Sequence, residues 1–362
     1  MKNIFIIIVL AGLLLAGCDK NQNSSSPAQS NQNSTQSNIY PGGTDGTSVN
    51  SLGIYNGNLI AGRSNQYGGN GIVIEQWNGS GWSNLGSGII PKGFLGGVYS
   101  QVIYNGNLIV GGAFDTAGGV ATCNVASWNG STWSAIGNGF NRTVNALVIY
   151  NGNLFAAGQF DSSGTSNINH IAQWTGTVWT SVDSGMNGTI YSLLVYNGKL
   201  IAAGEFTTLN GKAVNISQFD GNTWSAIGAS PGGAVFTMSD FNGNLIVGFT
   251  TNSNAYVAQW DGSSWSNMGS SFYSEIAALY VYNGGLYVAY NTGNVGSGSS
   301  SGLEEWNGSS WGNFIIDFYG TRMGPPTAIN TIYSYNNQLI IGGYLSSPSG
   351  AFEYNGSTWS AF

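Results

Sequence analysis

The amino-acid sequence predicts an all-β chain that folds as a seven-bladed β-propeller of four-stranded antiparallel blades, and three observations lead to this fold class. A tryptophan motif typified by Trp128–Gly137 recurs seven times and contains all twelve tryptophans. An aromatic-Asn-Gly landmark, which reads Tyr335-Asn336-Asn337 in the last unit, precedes each copy at intervals of 41–53 residues. Seven units of this length are typical of a propeller rather than of a helical solenoid. Outside the N-terminus, no sustained apolar stripe has helical spacing.

Length and composition agree with a repeat architecture. The 362 residues exceed the usual size of a single core, but a repeat protein escapes this limit because each unit packs only against its neighbours. The 57 glycines suit short strands and tight turns. Charged residues are only 6% of the chain, the formal net charge is −7, and the eight Lys and Arg form no cluster. A nucleic-acid partner is therefore not expected, because it needs a basic face.

The N-terminus predicts export. Lys2 is followed by an apolar run, Ile4–Ala16, which is too short to span a bilayer as a helix. A charged start before a short apolar run is typical of a secretion signal. The run ends in Leu15-Ala16-Gly17-Cys18, which resembles the lipobox of bacterial lipoproteins. This resemblance implies cleavage before Cys18 and lipidation of Cys18; the alternative is an unlipidated signal peptide with a chance cysteine.

Three segments follow from this assignment. Residues 1–17 are predicted to be a lipoprotein signal peptide, residues 18–46 the lipidated Cys18 with a flexible tether, and residues 47–362 the propeller. The tether is rich in Asn, Gln and Ser, so it cannot bury enough apolar surface to offset its chain entropy. We expect a protein of the cell envelope, held at a bacterial membrane by lipid and either periplasmic or surface-exposed.

Four strands can be assigned within each unit. In the third unit they are Val144–Tyr150, Leu154–Phe160, Ile171–Trp174 and Trp179–Val182. The Asn-Gly between the first two strands is the strongest two-residue hairpin signal, because a type I′ turn needs positive φ at both central positions. The first unit starts near Val49 and the last ends at Phe362. We therefore expect the ring to close by packing of the last blade on the first, without a shared strand.

Repeat details add a resemblance to known propellers. A Gly-Gly pair ends the second strand in two units, at Gly111-Gly112 and Gly342-Gly343. With the aromatic-turn-Trp pairing of strands three and four, it resembles kelch-type and galactose-oxidase-type propellers. The stretch Leu108–Phe114 is similar to the propeller repeats of fungal cortical polarity markers and bacterial surface proteins. This resemblance covers about 47–362 and implies the fold rather than an activity. His170 is the only histidine, so the copper site of galactose oxidase does not carry over, and no metal or cofactor is expected.

The candidate ligand-binding residues lie outside the repeat pattern. The repeat-locked tryptophans are interpreted as core between blades. The hairpin turns lie on one face of the ring, whereas the strand two-to-three loops and the links between blades lie on the other, which we call the loop face. Residues of this face that do not repeat are the best functional candidates. They are Arg63, Tyr67, Phe94, Arg142, His170, Phe272, Tyr273, Phe318, Tyr319 and Arg322.

The sequence favours a non-catalytic binding or scaffold module for a surface glycan or a protein, and we expect a monomer. The alternative is a carbohydrate-active enzyme that uses loop carboxylates, which could meet across the ring as glycosidases require. Its candidate carboxylates are Asp115, Asp161, Asp183, Glu275 and Asp317. Three arginines on the loop face prompt a comparison with sialidases, but the Tyr–Glu pair that sialidases also need cannot be placed. Cys123 is expected to be a buried filler without a partner.

Overall fold

The computed structural model describes residues 47–65, 73–93, 96–207, 214–251, 254–272, 275–291, 301–313, 328–345 and 350–361. These residues form strands, turns and loops and contain no helix, which confirms the predicted all-β class. In chain order the strands are β1 Thr47–Tyr55, β2 Asn58–Asn65, β3 Ile74–Trp77, β4 Trp82–Asn84, β5 Ile89–Pro91, β6 Gly97–Tyr104, β7 Asn107–Ala117, β8 Val120–Ala121, β9 Val125–Trp128, β10 Trp133–Ala135, β11 Val144–Tyr150, β12 Asn153–Gly158, β13 Ser162–Ser163, β14 Ser166–Asn167, β15 Ile171–Trp174, β16 Trp179–Ser181, β17 Ile190–Tyr196, β18 Lys199–Gly204, β19 Ile216–Phe219, β20 Trp224–Ala226, β21 Ala234–Phe241, β22 Asn244–Thr251, β23 Asn254–Trp260, β24 Trp265–Asn267, β25 Glu275–Tyr282, β26 Gly285–Asn291, β27 Ser301–Trp306, β28 Trp311–Asn313, β29 Ala328–Tyr335, β30 Gln338–Tyr344, β31 Ala351–Tyr354 and β32 Trp359–Ala361. In the described ranges, no helix has the length and apolarity needed to cross a membrane.

The strands assemble into four-stranded antiparallel units whose spatial order follows the chain. Five such sheets are separate, namely β11-β12-β15-β16, β17 to β20, β21 to β24, β25 to β28 and β29 to β32. A ten-stranded sheet contains β1 to β4 and β6-β7-β9-β10, joined where β2 pairs with β6, with β5 and β8 added on β7. We number these repeat units one to seven along the chain. The four strands predicted for unit three are present, although β12 ends at Gly158 rather than Phe160.

The hairpin between the first two strands of each unit has the predicted turn. In units one to six the Asn has φ between 48° and 53° and the following Gly between 71° and 81°. In unit seven, Asn336 and Asn337 adopt the same conformation, with φ of 50° and 60°. Positive φ at both central residues defines the type I′ turn, whose twist matches that of the flanking strands. The turn prediction is therefore confirmed in all seven units.

A second recurring feature is a β-bulge in the first strand of every unit. The pairing of first and second strands shifts by one residue near the start of the first strand in each of the seven pairs. The residues left out of the pairing are Asn50, Tyr99, Asn145, Tyr191, Phe236, Ala277 and Asn330. A bulge bends its strand and redirects the extra side chain. The sequence pattern did not predict these bulges.

The hydrophobic core lies between neighbouring units, and the tryptophans join them. One cluster combines Ile109 and Val125 of unit two with Leu154 of unit three, and the other clusters bridge other neighbours in the same way. At five joints the indole Nε1 of a tryptophan donates to a carbonyl of the preceding unit, at 2.7–3.3 Å. The donors are Trp133, Trp179, Trp224, Trp265 and Trp311. The interpretation of these tryptophans as interblade core is therefore confirmed.

Tyrosine hydroxyls form a complementary set of joints in the opposite direction. Tyr150, Tyr196 and Tyr282 each donate to the hairpin-turn carbonyl of the following unit. Tyr335 of unit seven donates in the same way to Gly57 O of unit one, at 3.2 Å. The first and last units are thus joined by the bond that joins other neighbours.

The first strands also follow one another in a closed cycle. They lie side by side in the order β1, β6, β11, β17, β21, β25, β29, and β29 lies beside β1. A core cluster combines Val49 and Leu59 with Ile340 at this last joint. Within the described ranges, β1 pairs only with β2 and β32 only with β31. The predicted closure by packing, without a shared strand, is what the described residues adopt.

Cys123 corrects one expectation. It carries a disulfide bond rather than lying partnerless in the core. Its side chain is buried, and its backbone has a left-handed φ of 49° in the strand two-to-three loop of unit two. The other cysteine of the chain is Cys18, which lies outside the described residues. Sequence spacing could not reveal this bond because it says nothing about which distant segments meet.

Candidate functional site

The loop face carries a ring of redirected side chains. Each first strand runs from a link on the loop face to a hairpin turn on the opposite face, and the bulge falls near its beginning. The seven bulge residues therefore lie toward the loop face, and because the first strands neighbour one another, they surround its centre. All seven are half-buried. We call these seven residues the inner rim.

Two aromatic residues of the inner rim stack on each other. Tyr191 of unit four and Phe236 of unit five have ring centroids 4.9 Å apart and planes inclined by 20°. Phenylalanine and tyrosine rings usually bury themselves in a core, but here both remain half-exposed at the end of neighbouring strands. Aromatic side chains that keep an apolar face accessible are common at binding surfaces.

Two carboxylates flank this aromatic pair. The Tyr191 hydroxyl donates to Glu205 Oε2 at 2.7 Å, where Glu205 follows the second strand of unit four. Glu275 begins the first strand of unit six and acts electrostatically on Tyr191. Burial, the hydrogen bond to Glu205 and the two negative charges all raise the pKa of Tyr191. Burial also raises the pKa of Glu275, although part of its side chain stays accessible to solvent. We call Tyr191, Phe236, Glu205 and Glu275 the rim cluster.

The asparagines of the inner rim serve the joints between units. Asn145 Nδ2 donates to Ile190 O of unit four at 2.9 Å. Asn330 Nδ2 donates across the closing joint to Ser48 Oγ at 2.8 Å and to Asn50 Oδ1 at 3.0 Å. These amide donors are therefore already engaged in holding neighbouring units together.

Arg63 is buried rather than displayed on the loop face. Its side chain is 4% exposed, its Nε lies 2.5 Å from Glu75 Oε2, and its guanidinium lies 5.6 Å from the Trp82 ring centroid. A Cβ on Gly350 of unit seven would lie 3.7 Å from Arg63 Nη1, so the guanidinium reaches the closing joint. Arg63 was a candidate ligand residue, but its charge is neutralised inside the ring.

Arg142 and His170 are brought together, around Asp161. Arg142 Nη2 lies 3.8 Å from Asp161 Oδ2, and Asn141 Nδ2 donates to Asp161 Oδ1 at 2.6 Å. His170 Nδ1 lies 3.2 Å from Gly158 O, and burial lowers the pKa of His170. These contacts tie the link before unit three to its strand two-to-three loop. The same tie in unit two joins Lys92 to Asp115 at 3.4 Å.

The remaining candidates divide between core and undescribed segments. Phe272 is buried, with its ring centroid 4.9 Å from that of Tyr290 and 6.0 Å from that of Trp311. It therefore contributes to packing. Cys18 and six loop-face candidates lie outside the described residues: Tyr67, Phe94, Tyr273, Phe318, Tyr319 and Arg322.

The candidate carboxylates have unequal environments. Asp115 and Asp161 are paired as above, and Asp183 accepts from the backbone N of Trp224 at 3.3 Å. Asp317 lies outside the described residues. Glu275 is thus the one predicted carboxylate that belongs to the rim cluster. In the described part of the chain, no three His, Cys, Asp or Glu side chains are grouped to hold a metal ion.

Sequence reasoning missed Tyr191, Phe236 and Glu205. Tyr191 and Phe236 read as ordinary first-strand residues, and Glu205 follows a strand directly. One signal was available, because Tyr99, Tyr191 and Phe236 occupy a position where three other units have asparagine. An aromatic residue at a position that is polar in other units is not part of the repeated core.

Comparison with known proteins supports a β-propeller. The family model of the Rax2 C-terminal beta propeller domain matches residues 134–284. No curated protein matches the chain by sequence. Among solved structures, the extracellular domain of the one component system BT4673 from B. thetaiotaomicron is similar, with a TM-score of 0.58 and 12% identity. That match covers 84% of this chain and 38% of the other.

Two further structures are similar. The GH74 enzyme of Niastella koreensis has a TM-score of 0.56 and 14% identity, over 89% of this chain and 54% of the enzyme. YCF48 bound to D1 peptide has a TM-score of 0.52 and 12% identity, over 86% of this chain and 92% of YCF48. The chain thus spans about half or less of the BT4673 and GH74 chains. At these identities the likeness concerns the fold alone, and propellers host many activities.

Proposed function

We propose that the chain is a seven-bladed propeller that acts as a binding module through the inner rim of its loop face. The closed cycle of first strands and the Tyr335–Gly57 bond support seven blades in one ring. The observation that carries the binding proposal is the rim cluster, in which a stacked aromatic pair and two carboxylates from three neighbouring units converge. The ligand would be a surface glycan or a protein.

The binding proposal is tested with the purified protein on a glycan array and as bait for envelope proteins. We expect one specific ligand, whose binding weakens at least about tenfold in Phe236→Ala, since exposed aromatic residues dominate many interfaces. Phe160→Ala, a buried core change, controls for loss of folding. A protein that captures neither glycan nor partner would overturn the proposal, as would a ligand that binds Phe236→Ala with unchanged affinity.

We also propose that the protein is exported and anchored by lipid at Cys18. The charged start, the short apolar run and the small residues before Cys18 support this. The disulfide at Cys123 bears on the proposal, because a sulfur that carries lipid cannot also form a disulfide and the chain has only two cysteines. The N-terminal lipid would then require Cys123 to find its partner in another chain or to remain reduced.

Metabolic labelling with radioactive palmitate tests whether Cys18 carries lipid or instead forms a disulfide bond. We expect label in the wild type and in Cys123→Ser, and none in Cys18→Ser. An unlabelled wild type, whose non-reduced tryptic digest contains a peptide of Cys18 linked to a peptide of Cys123, would refute lipidation.

A second candidate function is a carbohydrate-active enzyme, and the rim cluster supplies its one specific observation. Glu205 and Glu275 both act on Tyr191, and the raised pKa of Glu275 favours the protonated form that a general acid needs. The cluster also contains the Tyr–Glu contact that the sequence could not locate. Two of the three arginines of the sialidase comparison are nevertheless engaged elsewhere, with Glu75 and Asp161.

The enzyme candidate is tested on a panel of oligosaccharides. Product release that falls at least a hundredfold in Glu275→Gln would favour it over pure binding, because general acid catalysis contributes on the order of 10²–10⁴-fold. Glu353→Gln, on an outer strand of unit seven, is the matched control. Binding without any product would reject the enzyme and leave the binding module.

A further inference from the structure

We infer that the rim cluster binds the guanidinium or ammonium group of a basic polypeptide segment. The inference rests on the proposed binding function and specifies its ligand class. The cluster combines two carboxylates with two stacked aromatic rings that are half-exposed. Carboxylates attract cations, and aromatic faces add cation–π attraction, so the combination suits an organic cation.

The charge around the rim cluster supports a cation. Four cationic side chains lie in the described part of the chain, and three are paired: Arg63 with Glu75, Lys92 with Asp115, and Arg142 with Asp161. The fourth, Lys199, follows the hairpin turn of unit four and so lies at the opposite end of its strand from Glu205. Among these described cations, none is paired with Glu205 or Glu275. The chain as a whole carries a net charge of −7, which favours a basic partner.

The hydrogen-bonding groups of the rim favour a donor-rich ligand over a neutral sugar. The Tyr191 hydroxyl already donates to Glu205, and the amides of Asn145 and Asn330 donate within the joints. The carboxylates of Glu205 and Glu275 keep acceptor capacity, because an ionised carboxylate accepts several hydrogen bonds. A sugar hydroxyl both donates and accepts, so these acceptors use only part of its capacity, whereas guanidinium and ammonium groups only donate.

The stacked rings favour a basic side chain over a bulky cationic sugar. Tyr191 and Phe236 cover one face of each other, and both rings stay half-exposed, so a ligand can reach only the remaining face or the edge of each ring. A planar guanidinium at the end of a flexible stem can lie on such a face while its N–H groups reach a carboxylate. The rim cluster therefore fits arginine best and lysine next.

The test is isothermal titration of the full chain with three probes. They are an acetylated, amidated peptide with two arginines between glycines, the same peptide with neutral citrulline in place of arginine, and a chitosan tetramer as the cationic sugar. We expect the arginine peptide to bind at least about tenfold more tightly than the citrulline peptide, since charge-assisted hydrogen bonds are the stronger ones. Citrulline keeps the shape and removes the charge.

Variants then assign the binding to the rim cluster. Glu205→Gln and Glu275→Gln should each weaken the arginine peptide about fivefold or more, and Phe236→Leu about threefold. Tyr191→Phe should bind equally or more tightly, because it keeps the ring and frees Glu205 from its intramolecular donor. Glu353→Gln, on an outer strand, should bind as the wild type does.

Equal binding of the arginine and citrulline peptides, tighter binding of the chitosan tetramer, or no binding of any probe would overturn the inference. Arginine-peptide binding that is unaffected in both glutamate variants would do the same. If an array glycan or a captured protein also binds these variants at wild-type affinity, the binding module stands and only its cationic ligand is refuted. If neither is captured by the wild type, the proposed function itself fails.

Discussion

Trp179→Phe tests the idea that indole-to-carbonyl bonds hold neighbouring units together. Trp179 is 3% exposed, and its Nε1 donates at 3.0 Å to Ile136 O, whose residue is 6% exposed. Phenylalanine removes this donor and leaves the carbonyl only its 3.3 Å bond from Gly139 N, which costs about 1 kcal/mol. The smaller ring also gives up the burial of roughly two methylene equivalents, at about 0.8 kcal/mol each. We therefore expect the free energy of unfolding to fall by about 2–3 kcal/mol.

The assay is guanidinium denaturation followed by far-ultraviolet circular dichroism, which does not depend on the fluorescence of the deleted indole. Trp265→Phe is the matched control, because its Nε1 makes the same 3.0 Å bond to Ile227 O but its side chain is only half-buried. Water can replace the lost donor there, so we expect about half the effect. A loss below about 1 kcal/mol in Trp179→Phe, or a larger loss in Trp265→Phe, would refute the reasoning.

Three further predictions concern charge and close packing. Arg63→Ala should lower the free energy of unfolding by about 3 kcal/mol or more, because it leaves the partly buried carboxylate of Glu75 without its cation. Arg142→Ala, which removes an exposed ion pair with Asp161, should lower it by less than about 1 kcal/mol. Equal losses for the two variants in chemical denaturation would contradict this. Gly158→Ala should lower the free energy of unfolding by about 1–3 kcal/mol, because the new Cβ would collide with the backbone carbonyl of Thr143. Gly81→Ala places its Cβ in open space, so its free energy of unfolding should be almost unchanged in the same assay. Asp261 has its pKa lowered to about 2 by backbone N–H donors in its turn, so its stabilisation is present above the unfolded pKa and is lost as pH falls from about 4 through 2. Asp261→Asn should lack that loss in thermal melts across this range, and parallel curves for the two proteins would contradict the assignment.

The fold could be predicted from sequence because its signals are local and repeated. Asn-Gly between alternating strands fixes a type I′ turn without help from distant residues. The tryptophan motif recurs in all seven units, and this repetition indicates a structural role in the core. Tyr150 and its counterparts also recur, but their bonds to the next hairpin became visible only with the units side by side.

The site could not be predicted to the same degree, because it depends on register and on neighbours distant in sequence. A one-residue shift in pairing leaves no mark on the residue pattern, so the exposure of Tyr191 and Phe236 was hidden. For Arg63 and Phe272, the sequence did contain signals that argued against a place on the ligand-binding face. Arg63 occupies the position of Gly112, Gly158 and Gly343, where a repeat-locked role should be expected. Phe272 stands seven residues after its tryptophan, as Phe140 does, and both are core.

The bulges have a consequence for how such a ring can change. A side chain in a regular first strand is constrained by two neighbouring units, so most substitutions there disturb packing. A bulge residue is excluded from the ladder, so cross-strand pairing does not fix its side chain. The seven positions already hold asparagine, tyrosine, phenylalanine and alanine. Asn50, Asn145 and Asn330 form hydrogen bonds at the joints between units and are best kept. Recognition at the centre of the loop face can instead be altered at Tyr191, Phe236 and Ala277, which makes these three positions the natural choice for a library that seeks new ligands.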